Sequence, residues 1–290
     1  MTSSDSQLRL MCVHAHPDDE ASKGAAAMAK YIHEGVNVLV VTCTGGERGD
    51  ILNPRMLEDP DAIADLTAVR RAEMKAAQEA IGFDHEWLGF TDSGLPEGDP
   101  LPELPAGCFA LMPVEEAARP LVKLIRSQRP HVMTTYDENG GYPHPDHIQT
   151  HKVSMLAFDL AADPDYRPEL GEPWSVSKIY YNMTLSSEEF IAFHEYYLDH
   201  GLESPFEGMF EWLKTKRRRP ITTKIDISRY LEYRDAALLA HRTQVDPEGL
   251  FFAVSNDIRR EVWPWEGYQL RHSRIPVTIE EDDLFEGIRA

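Results

Sequence analysis

The chain has 290 residues, 42% of them hydrophobic, enough to bury a sizeable core and just above the size at which one core usually stops growing. One elaborated domain spanning residues 1–290 is therefore expected rather than two. Its 49 acidic against 29 basic residues give a formal net charge of −20, which opposes binding to nucleic acid or an anionic membrane and leaves a small molecule as the expected partner. Cys12, Cys43 and Cys108 are widely spaced and form no CxxC, which argues against a disulfide framework or a thiolate zinc site. No leader-like apolar segment follows a basic start, and no run approaches ~18 apolar residues, so a soluble cytoplasmic protein is expected. Nothing in the sequence specifies an oligomeric state.

In chain order, Leu8 to Ala15 and Val36 to Thr42 are short runs rich in Val and Leu, the pattern of strands covered on both faces of a parallel sheet. Glu20 to Glu34 lies between them with apolar residues at helical spacing, completing a βαβ unit. A longer helix is predicted over Asp61 to Ile81, ending at Gly82, and His85 to Phe90 follows as a strand. Val114 to Gln128 is helical, His131 to Tyr136 strand-like, and Pro145 to Ala162 helical again. Ile179 to Met183 adds a strand, with helical patterns near Glu188 to His200 and Ser228 to His241. The fold class expected is α/β: a doubly wound, mostly parallel, Rossmann-like sheet with helices on both faces and a C-terminal α/β elaboration. The Pro-rich stretch Leu95 to Pro105 reads as a long surface loop, and the basic run Lys214 to Arg219 as a solvated loop or helix end rather than an anion patch.

Ligands in such folds gather beyond the carboxyl ends of strands, which is where the first strand enters His14-Ala15-His16-Pro17-Asp18-Asp19-Glu20. A phosphate is excluded there, because the turn has no glycine and would set three carboxylates against it. Carboxylates at a helix start beside a neutral imidazole suit a divalent cation instead. His16 and Asp19, three residues apart, can point to one place, and Asp18 projects differently; helix capping is the plainer reading of the acidic pair, but it leaves His16 unexplained. A second cluster, Tyr142-Pro143-His144-Pro145-Asp146-His147, lies beyond another strand, and three ligands with an open position are the pattern of a catalytic zinc site. Asp146 has two readings, as the orienter of an imidazole or as a helix N-cap. His151, one turn beyond His147, is a competing ligand that reads better as a packed residue. His194-Glu195 lacks the second His of HExxH, no GxSxG is present, and Cys43 reads as a buried apolar residue. Arg48, in Thr44-Gly45-Gly46-Glu47-Arg48-Gly49, stands on the same sheet edge, where a fixed cation could hold substrate hydroxyls or carboxylates.

With paired AHPDDE and HPDH, and further stretches from VTCTGGERGDILNP through WLGFTDSGLP and MTTYDENGGYPHPDH to AHRTQVDP, the sequence resembles the LmbE-like (PIG-L) metal-dependent deacetylase family. The resemblance spans nearly the whole chain. It implies that His16, Asp19 and His147 bind Zn2+, with Fe2+ also compatible with two imidazoles and a carboxylate, and that Asp18 is the general base. It further implies that Tyr142 and His144 support the oxyanion, that Arg48 and Asp92 hold sugar or inositol hydroxyls, and that Lys23 helps to recognise substrate. GGERGDILNP and DENGGY are similar to the branch of the family that hydrolyses S-conjugates of the thiol mycothiol, freeing a mercapturic acid and glucosaminyl-inositol. The alternatives are a deacetylase of N-acetylglucosaminyl-inositol and a non-catalytic sugar- or metal-binding homologue.

Overall fold

The computed structural model describes residues 7–183, 185–215 and 219–289. Lys216, Arg217 and Arg218, the middle of the basic run, lie outside the described residues. Among the described residues, seven strands form one sheet: β1 (Arg9–His14), β2 (Asn37–Thr44), β3 (Asp84–Phe90), β4 (Val132–Thr135), β5 (Lys178–Asn182), β6 (Thr223–Asp226) and β7 (Trp265–Ser273). Their order is β3-β2-β1-β4-β5-β7-β6. The first five pair in parallel, whereas β7 runs antiparallel to both β5 and β6. The order reverses between β1 and β4, and that switch point opens the crevice in which α/β sheets bind ligands.

Alternate residues of β1 face opposite layers, as expected of a strand buried on both sides. Leu10 and Cys12 join Val38 and Val40 under α2 (Ala25–His33), α4 (Leu66–Ile81) and α9 (Leu231–Ala240). Met11 and Val13 join Val41 and Cys43 under α5 (Val114–Gln128) and α6 (Pro145–Ala162). A third apolar cluster, around Phe190, Phe193, Phe206 and Leu213, underlies α7 (Ser187–Asp199), α8 (Phe210–Thr215) and α10 (Asn256–Val262) in the C-terminal half. All three cysteines are free and buried. Among the described residues no helix is long and apolar enough to cross a membrane.

Two expected helices are each broken in two. Glu20 to Glu34 divides into α1 (Asp19–Ser22) and α2, with Gly24 between them at φ +120°, a backbone conformation that glycine tolerates and other residues rarely adopt. Asp61 to Ile81 divides into α3 (Pro60–Ala64) and α4 at Asp65, whose side chain caps the second piece by accepting from Ala68 N–H. β6 and β7 were not foreseen. β7 carries Glu266, a buried carboxylate that accepts the Ala26 and Ala27 N–H groups at 3.2 and 3.1 Å. It thereby satisfies the start of α2 from across the sheet, a long-range role that hides the strand's apolar pattern.

Candidate metal centre and active-site cleft

β1 delivers the chain to His16, and the backbone N–H of His16 donates to Asp19 Oδ2 at 2.9 Å, folding the turn so that both side chains face the crevice. On the far side of the switch point, α6 opens with His144 as its N-cap, accepting from Asp146 N–H, and with Pro145 next. This places His147 in the first turn. His16 Nδ1, Asp19 Oδ2 and His147 Nε2 then stand 3.6, 3.3 and 3.3 Å from one another. Donors at zinc-ligand distance around a tetrahedral centre are about 3.3–3.4 Å apart. The three side chains are buried and form a set compatible with one cation.

The tautomers agree with this grouping. His147 Nδ1 donates to the Gly140 carbonyl at 3.0 Å, and His16 Nε2 faces Asp146 Oδ2 at 3.3 Å and Asp92 Oδ1 at 3.5 Å. Each ring proton is thus claimed from outside, and the two inward nitrogens present lone pairs to each other and to a carboxylate oxygen. Such a trio repels itself unless a cation lies between its members. Burial alone would lower the His16 pKa, but hydrogen bonds to Asp146, Asp19 and Asp92 raise it well above its ordinary value, so that with no cation between the three donors a proton on His16 takes its place against the carboxylates. Burial alone would raise that of Asp19, but His147 and Lys23 hold it well below the usual carboxylate range. The residues therefore fit a divalent ion.

Asp146 settles between its two readings: it orients His16, and it also accepts Ser93 N–H at 2.8 Å, while His144 is the cap. Lys23 is not among the residues that line the cleft. Its Nζ lies 2.6 Å from Asp19 Oδ1, so it grips the oxygen that faces away from the imidazoles. His151 gives its Nδ1 to the Tyr136 carbonyl and is not part of the cluster. Burial pushes the Cys43 thiol up to about 12, in keeping with an inert core residue.

Asp18, Arg48, Asp92, Tyr142 and His144 share with His16 the lining of one cleft of about 470 Å³. Asp18 has φ +127°, a region costly for a residue with a Cβ. Two buried groups hold it there. Its N–H donates to Glu20 Oε2 at 2.9 Å, and Glu20 Oε1 meets His241 Nε2 at 2.5 Å. Arg70 lies 3.2 Å from Asp18 Oδ2 and donates to the carbonyls of Pro17 and Gly46. Burial raises the Asp18 pKa, and the Arg70 charge opposes the rise. Because His144 Nδ1 accepts from the backbone, its proton sits on Nε2, and burial pushes its pKa down to about 3, so it is a neutral donor. Tyr142 is 44% exposed, with its ring against His147.

Sequence reasoning missed Arg70, His241 and Tyr136. The Tyr136 ring stacks on His147 at 4.3 Å, and its hydroxyl accepts Ala15 N–H. Arg70 sits beside Arg71 in an ordinary amphipathic helix and gives no local signal. His241 comes from the AHRTQVDP stretch more than two hundred residues away from its partner Glu20.

Residues 11–158 match the family described as GlcNAc-PI de-N-acetylase (PIG-L). The chain is 56% identical over 290 residues to mycothiol S-conjugate amidase of Streptomyces coelicolor, covering 98% of each chain. It is 40% identical to 1D-myo-inositol 2-acetamido-2-deoxy-alpha-D-glucopyranoside deacetylase of Streptomyces scabiei, covering 97% of this chain and 90% of that one. Its fold is similar to N,N'-diacetylchitobiose deacetylase from Pyrococcus horikoshii, with a TM-score of 0.59 at 18% identity over 92% of this chain and 84% of that one. It is similar also to GalB, a 4-carboxy-2-hydroxymuconate hydratase from Pseudomonas putida, with a TM-score of 0.62 at 18% identity over 94% of this chain and 99% of that one, so the fold alone does not select the reaction. The paired motifs, the sheet with its switch-point site and these likenesses agree: the chain belongs to the PIG-L (LmbE-like) family of de-N-acetylases and amidases.

Proposed function

We propose that the protein is a metal-dependent amidase that cleaves the amide of mycothiol S-conjugates, releasing a mercapturic acid and glucosaminyl-inositol. The observation that carries the chemistry is the meeting of His16 Nδ1, Asp19 Oδ2 and His147 Nε2 beside the cleft that Asp18 lines; the 56% identity to an amidase of that specificity supports the substrate. A divalent ion held by those three donors supplies Lewis acidity toward the carbonyl and an acidic water near neutral pH. Asp18 takes the proton of the attacking water and, as the amine departs, returns one to its nitrogen. His144 Nε2–H and the Tyr142 hydroxyl donate to the carbonyl oxygen as negative charge grows on it. Arg48 and Asp92 engage the hydroxyls of the sugar and inositol.

Zinc is the ion we propose, with Fe2+ as the alternative that the same donors accept. A cytoplasmic location is in keeping with three buried, unpaired cysteines. The likeness to inositol-sugar deacetylases favours a second reading, deacetylation of N-acetylglucosaminyl-inositol. The test compares kcat/KM for a fluorescent mycothiol conjugate and for the acetylated precursor, using protein stripped and reloaded with zinc or iron. The conjugate is expected to win. Asp18→Asn is expected to keep metal and lose most turnover, and Asp19→Asn to lose metal; the reverse pattern would show that base and ligand have been exchanged.

A further inference from the structure

The cleft lining divides by chemistry and by origin in the chain. Polar groups come from the turns after β2 and β3, from α4 and from the stretch after α9: Arg48, Asp50, Arg70, Asp92 and Gln244. The opposite character is concentrated in one loop, which contributes Leu95, Pro96, Pro102, Leu104 and Pro105, with Leu52 added from the turn after β2. Leu52 is 62% and Leu95 51% exposed, so apolar surface stands open in a site whose deep end is polar.

This wall is built and held. Ser93 and Gly94 N–H donate to Asp146 and Asp92, and the Arg48 guanidinium donates to the Asp92 carbonyl, fixing where the loop begins. At the other end Phe109 N–H donates to the Thr91 carbonyl at 2.7 Å, and the Phe109 ring stacks on Phe90 at 4.8 Å. Between these anchors, prolines at 96, 100, 102 and 105 each fix a backbone angle. Leu52 is held by its N–H, which donates to the Thr243 carbonyl at 2.8 Å. Apolar surface kept in place inside a binding cleft marks where an apolar ligand group lies.

We propose that this wall is the subsite for the S-substituent, and that the enzyme selects conjugates carrying a neutral apolar group, above all an aromatic one. The inference rests on the amidase reading. Of the parts of such a conjugate, the glucosaminyl-inositol presents hydroxyls that suit the polar end, and the group on sulfur is the part that matches Leu52, Leu95 and Leu104. Glu97 and Glu103, on the same loop and in the same lining, add negative charge that repels an anionic substituent.

The experiment measures kcat/KM for S-benzyl, S-methyl and S-carboxymethyl mycothiol with the zinc-loaded wild type and with Leu52→Ser, Leu95→Ser and Glu103→Lys. The wild type is expected to favour S-benzyl over S-methyl by about tenfold, an effect on the scale of one well-buried apolar group, and to disfavour S-carboxymethyl. Each Leu→Ser variant, with melting temperature and zinc content checked, is expected to lower the benzyl-to-methyl ratio through KM for the benzyl conjugate. Glu103→Lys is expected to raise kcat/KM for the S-carboxymethyl conjugate several-fold, a gain that misfolding cannot produce. Equal kcat/KM for the three conjugates, or ratios unmoved in all three variants, would overturn the subsite while leaving the amidase intact. Cleavage of no conjugate, alongside acetate release from the acetylated precursor, would overturn the amidase reading and the subsite with it.

Discussion

Substituting alanine at Gly140 tests the metal centre through a residue that is not itself a ligand. Gly140 holds φ at +75°, and a Cβ there would lie 2.6 Å from His147 Cβ, 2.8 Å from the Tyr142 carbonyl oxygen and 3.1 Å from Ile148 N. The left-handed backbone costs an L-residue about 1–2 kcal/mol, and relieving such contacts adds ~1–3 kcal/mol, so Gly140→Ala is expected to lose about 2–5 kcal/mol of stability. The Gly140 carbonyl also accepts from His147 Nδ1, so any shift moves the ring that must present Nε2 inward. Loss of such an outer contact typically weakens metal binding ~10–100-fold. Gly141→Ala is the control, because Gly141 has φ +76° with nothing within 4 Å of its added Cβ; it carries only the backbone cost and keeps its metal. Urea titration of both variants, with zinc affinity measured by competition against a chelator, separates the two effects. If Gly140→Ala unfolds and binds zinc as Gly141→Ala does, the reasoning about His147 is refuted.

Two further outcomes follow from buried groups. His241→Phe strips Glu20 of its fully buried partner and is expected to cost about 3–5 kcal/mol, with much of the loss recovered in the His241→Phe/Glu20→Gln double variant; urea denaturation of the cycle checks this, and additive losses would contradict it. His85, which shares a hydrogen bond with Thr42 Oγ1, has its pKa pushed down by burial to about 4. Its unfolded value is near 6.5, so between pH 6.5 and 4 the unfolded chain takes up a proton that the native protein does not, and stability falls as the pH falls through that window. Urea midpoints at pH 7, 6 and 5 should show the fall in the wild type and a smaller one in His85→Gln; parallel curves would rule His85 out as its source.

Much of the site is legible in sequence because its parts are local. His16 and Asp19 share one turn, and His144 and His147 share the start of one helix, so their spacing reports geometry directly. Strands β1 and β2 are legible for the same reason: burial on both faces leaves nearly continuous apolar runs, whereas β3, at the sheet edge, is partly exposed along its length. What escaped reading depends on contacts distant in the chain. Arg70 matters because α4 packs beside the turn carrying Pro17 and Asp18, and β7 is disguised by a buried carboxylate whose partners are the N–H groups of α2. Lys23 is close to the metal motif in sequence, but four residues along a short helix bring it onto Asp19 rather than into the cleft.

The backbone of Asp18 has one more implication. A carboxylate adjacent in sequence to a ligand tends to collapse onto the same ion, which would use up the place where the attacking oxygen must bind. Here the main chain is twisted to φ +127° and tethered by Glu20, while the side chain is drawn aside by Arg70. On the proposed reading, neighbouring aspartates would thereby be kept to separate tasks, and the strain of about 1–3 kcal/mol stored in that one residue would be what keeps Asp18 off the ion.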